Sequence, residues 1–342
     1  MNVSLLQKLQ LRIIYTLIDG LVLIESPALL PRLLLRRTSY LILILLLSTF
    51  IYRINIYKKN ISYIAEYFFY VPYSSVLQTI PANKIPRQLA AIPFPDVSAQ
   101  GILVADLKSG HILFERNKNM KFPPASTTKV MTALVAEDLF SKEATFTVDY
   151  NCTQIPSQKA GFVVGEVLDL SELIKSLLIA SAGDAACVLS QTHSPVSFVT
   201  RMNLLAKSIG MNDTKFSNAI GLDDFENGQE STPYDLYLLT KKALEDDFIV
   251  ATVKTKELDI ESLETSSSAK VTHHLINTNR LLWEIPETIG FKTGRTDGAG
   301  EVLVYVYSKD EKAIAIIVMK SLDRFEDTKK ILDWTLSSFA WE

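Results

Sequence analysis

Cysteine is scarce in this chain. Cys152 and Cys187 are the only two in 342 residues, and the four histidines, His111, His193, His273 and His274, are scattered. Two cysteines make no disulfide framework, and neither stands in a metal-like cluster, so both read as structural filler. The histidines suggest neither a His-based triad nor a zinc site. No internal repeat is visible. Disorder is excluded by a hydrophobic content of 48%. An excess of one charge is also lacking, with 35 Lys and Arg against 38 Asp and Glu, but the balance is uneven along the chain. Residues 1–60 hold Lys8, Arg12, Arg32, Arg36, Arg37, Arg53, Lys58 and Lys59 against Asp19 and Glu25, a net of +6, which leaves −9 for the rest of a chain whose total is −3. A basic head on an acidic body argues against nucleic acid as a partner.

What is present begins with an apolar segment. Thr38–Tyr52 carries no charge, and with Arg53 snorkelling to the interface it extends to Tyr57, enough to span a bilayer. Five Lys or Arg residues precede it and three follow, a bias that puts the N-terminus inside and the body outside. Tyr52, Tyr57, Tyr63, Tyr67, Phe68, Phe69 and Tyr70 supply an aromatic belt. A buried helix or a cleaved signal peptide is the alternative, but no small-residue cleavage site follows and the basic head is long for a signal. Residues 13–31 are apolar too, broken by Asp19, Glu25 and two prolines, and read as an interfacial helix or one arm of a hairpin. The expected organisation is a cytoplasmic head and anchor over 1–60 with the span at about 38–57, a juxtamembrane linker over 61–97, and a body over 98–342. The expected location is the cell membrane, single-pass, with the body extracytoplasmic.

The body opens with ILVADL, a Lys108-Ser109-Gly110 turn and HILFER, a β-hairpin pattern. Its far end offers strands at 290–293, 301–308 and 312–320, then a helix over 325–339 with Ile331, Leu332, Leu336 and Phe339 as its apolar stripe. Two strands early and three late predict one antiparallel sheet interrupted by a large insertion. Helical spacing over 126–140, 171–190, 196–209 and 233–246 makes that insertion mostly helical, with Ser171 and Thr232 as N-caps. Residues 250–275 alternate more like strands. The fold class is α/β of the α+β type.

Three short motifs carry the chemistry. Ser126, Thr127, Thr128 and Lys129 form S-x-x-K, a common pattern that recurs at Ser267–Lys270, but the first copy has better context. Pro123, Pro124 and Ala125 precede it, and Val130, Met131, Leu134 and Val135 continue an amphipathic helix. Residues i and i+3 share a helix face, so Lys129 can reach Ser126. A serine hydroxyl needs a neighbouring base, and a lysine is one only if burial or a second cation lowers its pKa. Lys292 is a candidate for that cation. The helix N-terminus also places a backbone N–H where an oxyanion would develop. Lys292, Thr293 and Gly294 form K-T-G on a strand, which would present Lys and Thr to an anionic ligand end while glycine lets a substrate backbone approach.

With Ser181 as the start of a second motif, this set resembles the serine D-Ala-D-Ala carboxypeptidases, the low-molecular-weight penicillin-binding proteins. The resemblance covers about 98–340 in six blocks: PPASTTKVMTAL, SLLIASAGDAA, SNAIGLDD, NTNRLLW, FKTGRTDGAG and DRFEDTKKILDW. It implies a penicillin-binding protein/β-lactamase-like fold, a five-stranded antiparallel sheet flanked by helices with a large helical insertion. It implies peptidoglycan stem peptides as substrate, β-lactams as covalent inhibitors, and neither cofactor nor metal. Ser126 would be the acylated nucleophile, Lys129 its general base, and Ser181 a proton relay toward the leaving D-alanine. Lys292 and Thr293 would hold the substrate carboxylate, and the N–H groups of Ser126 and Arg295 match the family's oxyanion hole. Arg324 matches a position that assists carboxylate binding, or stands in a surface ion pair. An N-terminal anchor would take the place of the family's C-terminal membrane-binding appendage.

One position departs from the pattern. Gly183 stands where the family has an asparagine whose amide bridges the base lysine and the substrate. Losing one such donor costs about 10²–10³ in rate, and Asp184 turning into the gap would pair with Lys129 and disable it. The expectation is a working, slowed D-Ala-D-Ala carboxypeptidase. A D,D-endopeptidase and a pseudoenzyme that binds wall peptides or partners stay open. A class A β-lactamase would need an E-x-x-L-N loop, and none occurs between 184 and 292.

Overall fold

The computed structural model describes residues 85–89, 92–192, 194–224, 226, 228–263 and 270–341. The basic head, the anchor at 38–57, its aromatic belt, His193 and Ser267 lie outside the described residues. No helix among the described residues is long and apolar enough to cross a membrane.

In chain order the elements are β1 (Arg87–Gln88), β2 (Gly101–Asp106), β3 (Ile112–Arg116), a 3-10 turn at Ala125–Thr127, α1 (Thr128–Leu139), β4 (Thr145–Thr147), α2 (Tyr150–Thr153) and β5 (Val167–Asp169). Next come α3 (Leu170–Ile179), α4 (Gly183–Gln191), α5 (Pro195–Ser208), α6 (Pro233–Ala243), α7 (Asp247–Lys254), β6 (Glu257–Glu261) and β7 (Thr272–Ile276). The chain closes with α8 (Leu281–Glu284), β8 (Thr288–Thr296), β9 (Gly300–Lys309), β10 (Lys312–Ser321), α9 (Arg324–Ser338) and β11 (Phe339–Ala340). Strands β3, β2, β10, β9 and β8 lie in that order in one antiparallel sheet, the five-stranded arrangement that the sequence predicts.

Both faces of this sheet are apolar, and period-2 alternation sends each strand's residues to two separate cores. Leu103, Ala105, Val302, Val304, Val306, Ala315 and Ile317 face the core shared with the helical insertion. Their neighbours Ile102, Val104, Leu303, Tyr305, Ile314, Ile316 and Val318 face the core shared with Phe325, Ile331 and Leu332 of α9. The central strands are thus covered on both sides, with β8 at one edge. Residues from the stretch read as a linker join this body: β1 pairs with β11 and Trp334 Nε1 donates to Ile92 O at 3.0 Å, while Asp327 accepts from Ser98 and Ala99 at the start of the body.

Local signals explain the insertion's helices, with two adjustments. Thr232 caps α6 by accepting from Asp235 N at 3.0 Å, with Pro233 in the first turn. At α3 the cap is Asp169 rather than Ser171, because the carboxylate reaches Glu172 N at 2.8 Å and also accepts from the Ser171 hydroxyl. The helix expected over 171–190 is two, α3 and α4, broken where Ser181 adopts φ 58°. The strand-like stretch begins as α7 and becomes the β6–β7 hairpin only from Glu257.

The two cysteines are not filler. Cys152 on α2 and Cys187 on α4 form a disulfide across a sequence separation of 35, with Cα atoms 5.3 Å apart. A lone pair so far apart gives no sequence framework, and only the packing of α2 against α4 brings the two together. Closing a loop of this length contributes about 3–4 kcal/mol. Cys152→Ala/Cys187→Ala is therefore expected to unfold at lower denaturant with a stability loss of that size, and wild-type protein is expected to show no thiol by alkylation before reduction.

Candidate active site

Ser126 sits on a constrained turn. Ala125 adopts φ 50°, Thr127 Oγ1 donates to Pro124 O at 2.6 Å, and the 3-10 turn feeds directly into α1. This places Ser126 one helical turn before Lys129, whose side chain is completely buried. Lys129 Nζ lies 3.0 Å from Ser126 Oγ and donates to Ile220 O at 2.6 Å. Burial drives the Lys129 pKa down to about 7, against the opposing pull of the Asp184 charge. A neutral amine in this setting keeps one N–H on the Ile220 carbonyl and turns its lone pair toward the serine hydroxyl.

The carbonyl that orients Lys129 belongs to a loop built by one asparagine. Asn218 Oδ1 accepts from the backbone N–H groups of Ile220, Gly221 and Leu222 at 3.1, 2.8 and 3.1 Å. Thr132 Oγ1 on α1 donates to Ala219 O at 2.6 Å, tying loop and helix together. Gly221 has φ +86°, and a Cβ there would lie 2.1 Å from Ala125 O, so only glycine permits the loop to meet the nucleophile turn.

Strand β8 forms the opposite wall. A Cβ on Gly294 would stand 2.9 Å from Ser126 N, so this glycine lets the strand approach the nucleophile's backbone. Thr293 Oγ1 and Thr278 Oγ1 share a hydrogen bond of 2.5 Å. Lys292 is buried beneath the cleft floor, its Nζ donating to Thr293 O at 3.2 Å. Its pKa falls far below the usual lysine range, first through burial and then through the charges of Lys129 and Arg324. Arg324 borders the cleft and also pairs with Glu301, the pair being mostly buried. Its side chain is 14% exposed, Nη1 donates to Gly294 O at 3.0 Å, and Glu301 stands 3.7 Å away. Among the described residues its buried Nε has no partner.

The remaining wall carries the second motif and its departure. Ser181 lies in the break between α3 and α4 and lines the cleft. Asp184 does not turn toward Lys129. Its carboxylate accepts from the N–H groups of Ala160 and Gly161, each at 3.0 Å, and from Ala185 N at 3.0 Å. The space beside Gly183 is filled: a Cβ there would stand 2.6 Å from Ser157 Cβ and 2.7 Å from its Oγ. Gly183 N donates to Gln158 O at 2.7 Å.

Ser126, Ser181, Thr293, Gly294, Arg295 and Arg324 thus border one cleft of about 670 Å³, with Lys129 and Lys292 buried beside it. Sequence reasoning missed Asn218, Thr278 and the 156–158 loop as parts of this site. Asn218 and Thr278 lie within blocks of the resemblance, SNAIGLDD and NTNRLLW, whereas Pro156, Ser157 and Gln158 carry no motif at all.

A serine one turn from a buried lysine, beside the edge strand of an antiparallel sheet, is the arrangement that serine acyl transfer with a lysine base requires. A family profile described as D-alanyl-D-alanine carboxypeptidase matches residues 88–322, and the chain belongs to that family. It is 30% identical over 252 residues to the D-alanyl-D-alanine carboxypeptidase DacB2 of Mycobacterium tuberculosis, covering 73% of this chain and 84% of the relative. It is 31% identical over 294 residues to DacC of Escherichia coli, covering 78% and 70%. The fold matches the crystal structure of the Streptomyces K15 DD-transpeptidase with a TM-score of 0.68 at 25% identity, over 72% of this chain and all of that one.

Two outcomes follow from the geometry. Acylation of Ser126 by a chromogenic β-lactam is expected to slow about tenfold per unit below pH about 7, as Lys129 gains its proton, and to level off above it. Gly183→Asn alone is expected to cost about 1–3 kcal/mol in denaturant unfolding, because Ser157 occupies the space, and to gain no rate.

Proposed function

We infer that the protein is a serine-type D-Ala-D-Ala carboxypeptidase acting on peptidoglycan stem peptides through an acyl-enzyme on Ser126. One observation carries this reading: the Lys129 amine is 3.0 Å from the Ser126 hydroxyl and, with a pKa of about 7, is substantially neutral at physiological pH. Lys129 takes the Ser126 proton as Oγ attacks the carbonyl between the two D-alanines. The resulting oxyanion is held by the N–H groups of Ser126 and Arg295. Thr293 and Arg324 receive the terminal carboxylate, and Lys292 beneath them adds positive potential when protonated. Ser181 passes the proton to the departing D-alanine amine, and water then hydrolyses the ester, its proton returning through Lys129. Gly294 lets the peptide and the nucleophile turn share the narrow space along β8.

The catalytic domain spans 98–342, extracytoplasmic, behind a single-pass anchor at about 38–57. The uncharged run Thr38–Tyr52 supports the anchor, and the Cys152–Cys187 disulfide suits an oxidising compartment outside the cytoplasm. The neutral-range lysine hydrogen-bonded to the Ser126 hydroxyl favours the enzyme over a binder of wall peptides. Fluorescent penicillin is expected to label the full chain covalently, and the purified protein to release D-alanine from a pentapeptide. Both signals are expected to vanish in Ser126→Ala, and equal D-alanine release by the two proteins would overturn the assignment.

A further inference from the structure

Gly183 is not simply a missing side chain. A Cβ at this position would overlap Ser157, and the Gly183 N–H is bonded to the Gln158 carbonyl, so the 156–158 loop occupies the room a residue at 183 would need. The loop is fastened on three sides. The Cys152–Cys187 disulfide holds its start against α4, and Asp184 holds Ala160 and Gly161. At its end the buried Glu166 accepts from Val163 N at 2.9 Å and pairs with His273 Nε2 at 2.6 Å. Such a loop is a fixed wall, its ordering cost met during folding rather than on binding.

This wall borders the cleft with Ser157 and Gln158, in one lining with Thr293 and Arg295 of β8. The Gln158 side chain is exposed, and its carboxamide has no hydrogen-bond partner among the described residues. A carboxamide offers both a donor and an acceptor, the complement of one peptide unit. An extended peptide lying along β8, with its carboxylate end toward Arg324, would run its acyl side past this loop.

We propose that Gln158 is a substrate-binding residue whose carboxamide hydrogen-bonds the backbone amide on the acyl side of the scissile bond, the loop of Ser157 and Gln158 taking over the position that Gly183 leaves without a side chain. The proposal rests on the carboxypeptidase reading of the cleft. Its ligand is an extended peptide with a free backbone amide, not merely a D-alanine carboxylate.

The test pairs Gln158→Ala with two substrates ending in D-Ala-D-Ala, one with the acyl-side peptide amide and one with an ester in its place. Wild-type protein is expected to prefer the amide, and Gln158→Ala to lose about tenfold in kcat/KM on the amide substrate while losing little on the ester. Equal losses on both substrates, or no loss on either, would overturn the proposal. Penicillin labelling of Ser126 in each variant reports an intact nucleophile separately. A wild-type protein that neither labels nor turns over would fail the carboxypeptidase reading itself.

Discussion

The burial of one lysine amine governs the site. Water is the strongest stabiliser of an ammonium ion, and Lys129 is wholly removed from it. The fold returns one carbonyl, Ile220 O, which accepts a hydrogen bond from ammonium and amine alike. It places the Asp184 charge near enough to oppose neutralisation but leaves that carboxylate committed to the 160–161 backbone. Had Asp184 paired directly with Lys129, the amine would keep its proton. The position of one carboxylate therefore decides whether this buried amine stands in an ion pair.

Several features exist to keep that amine dry and aimed. The Asn218 loop builds the carbonyl platform under Lys129, and Gly221 lets it touch the nucleophile turn. Strand β8 closes the other side, with Gly294 allowing an approach to Ser126 that a side chain would block. Lys292 shares the dry region; burial holds both lysines below the usual range, and the Lys129 charge adds to the lowering at Lys292. Beneath these parts lies a sheet with two apolar faces, a rigid base that lets loops hold close distances.

The second motif shows how a substitution is misread in isolation. Glycine at 183 suggests a deletion when the motif is compared with its family. In the folded chain it is half of a pair, because Ser157 and a side chain at 183 exclude one another. Helix α4 consequently begins flush against the loop, and the disulfide and Asp184 secure both. The cleft retains a polar wall there, made from a different part of the chain.

Much was legible in the chain because it rests on short-range regularities. The alternation in 301–308 and 312–320 marks strands β9 and β10 through the pleat, Thr232 before Pro233 marks a helix start, and a separation of three residues from Ser126 to Lys129 puts both on one face. Their order also points to the family. The cap on Asp169 is a local Asp-to-Glu172 signal, expected at Ser171 instead, whereas the Cys152–Cys187 pairing and the contact of Ser157 with Gly183 were not legible, since each depends on segments brought together only by packing. The sequence by itself determined which groups are present and which neighbours along the chain can meet. Tertiary structure decided which of them lose water and which share a space, because desolvation and steric exclusion are properties of the assembled interior, not of any local run of residues.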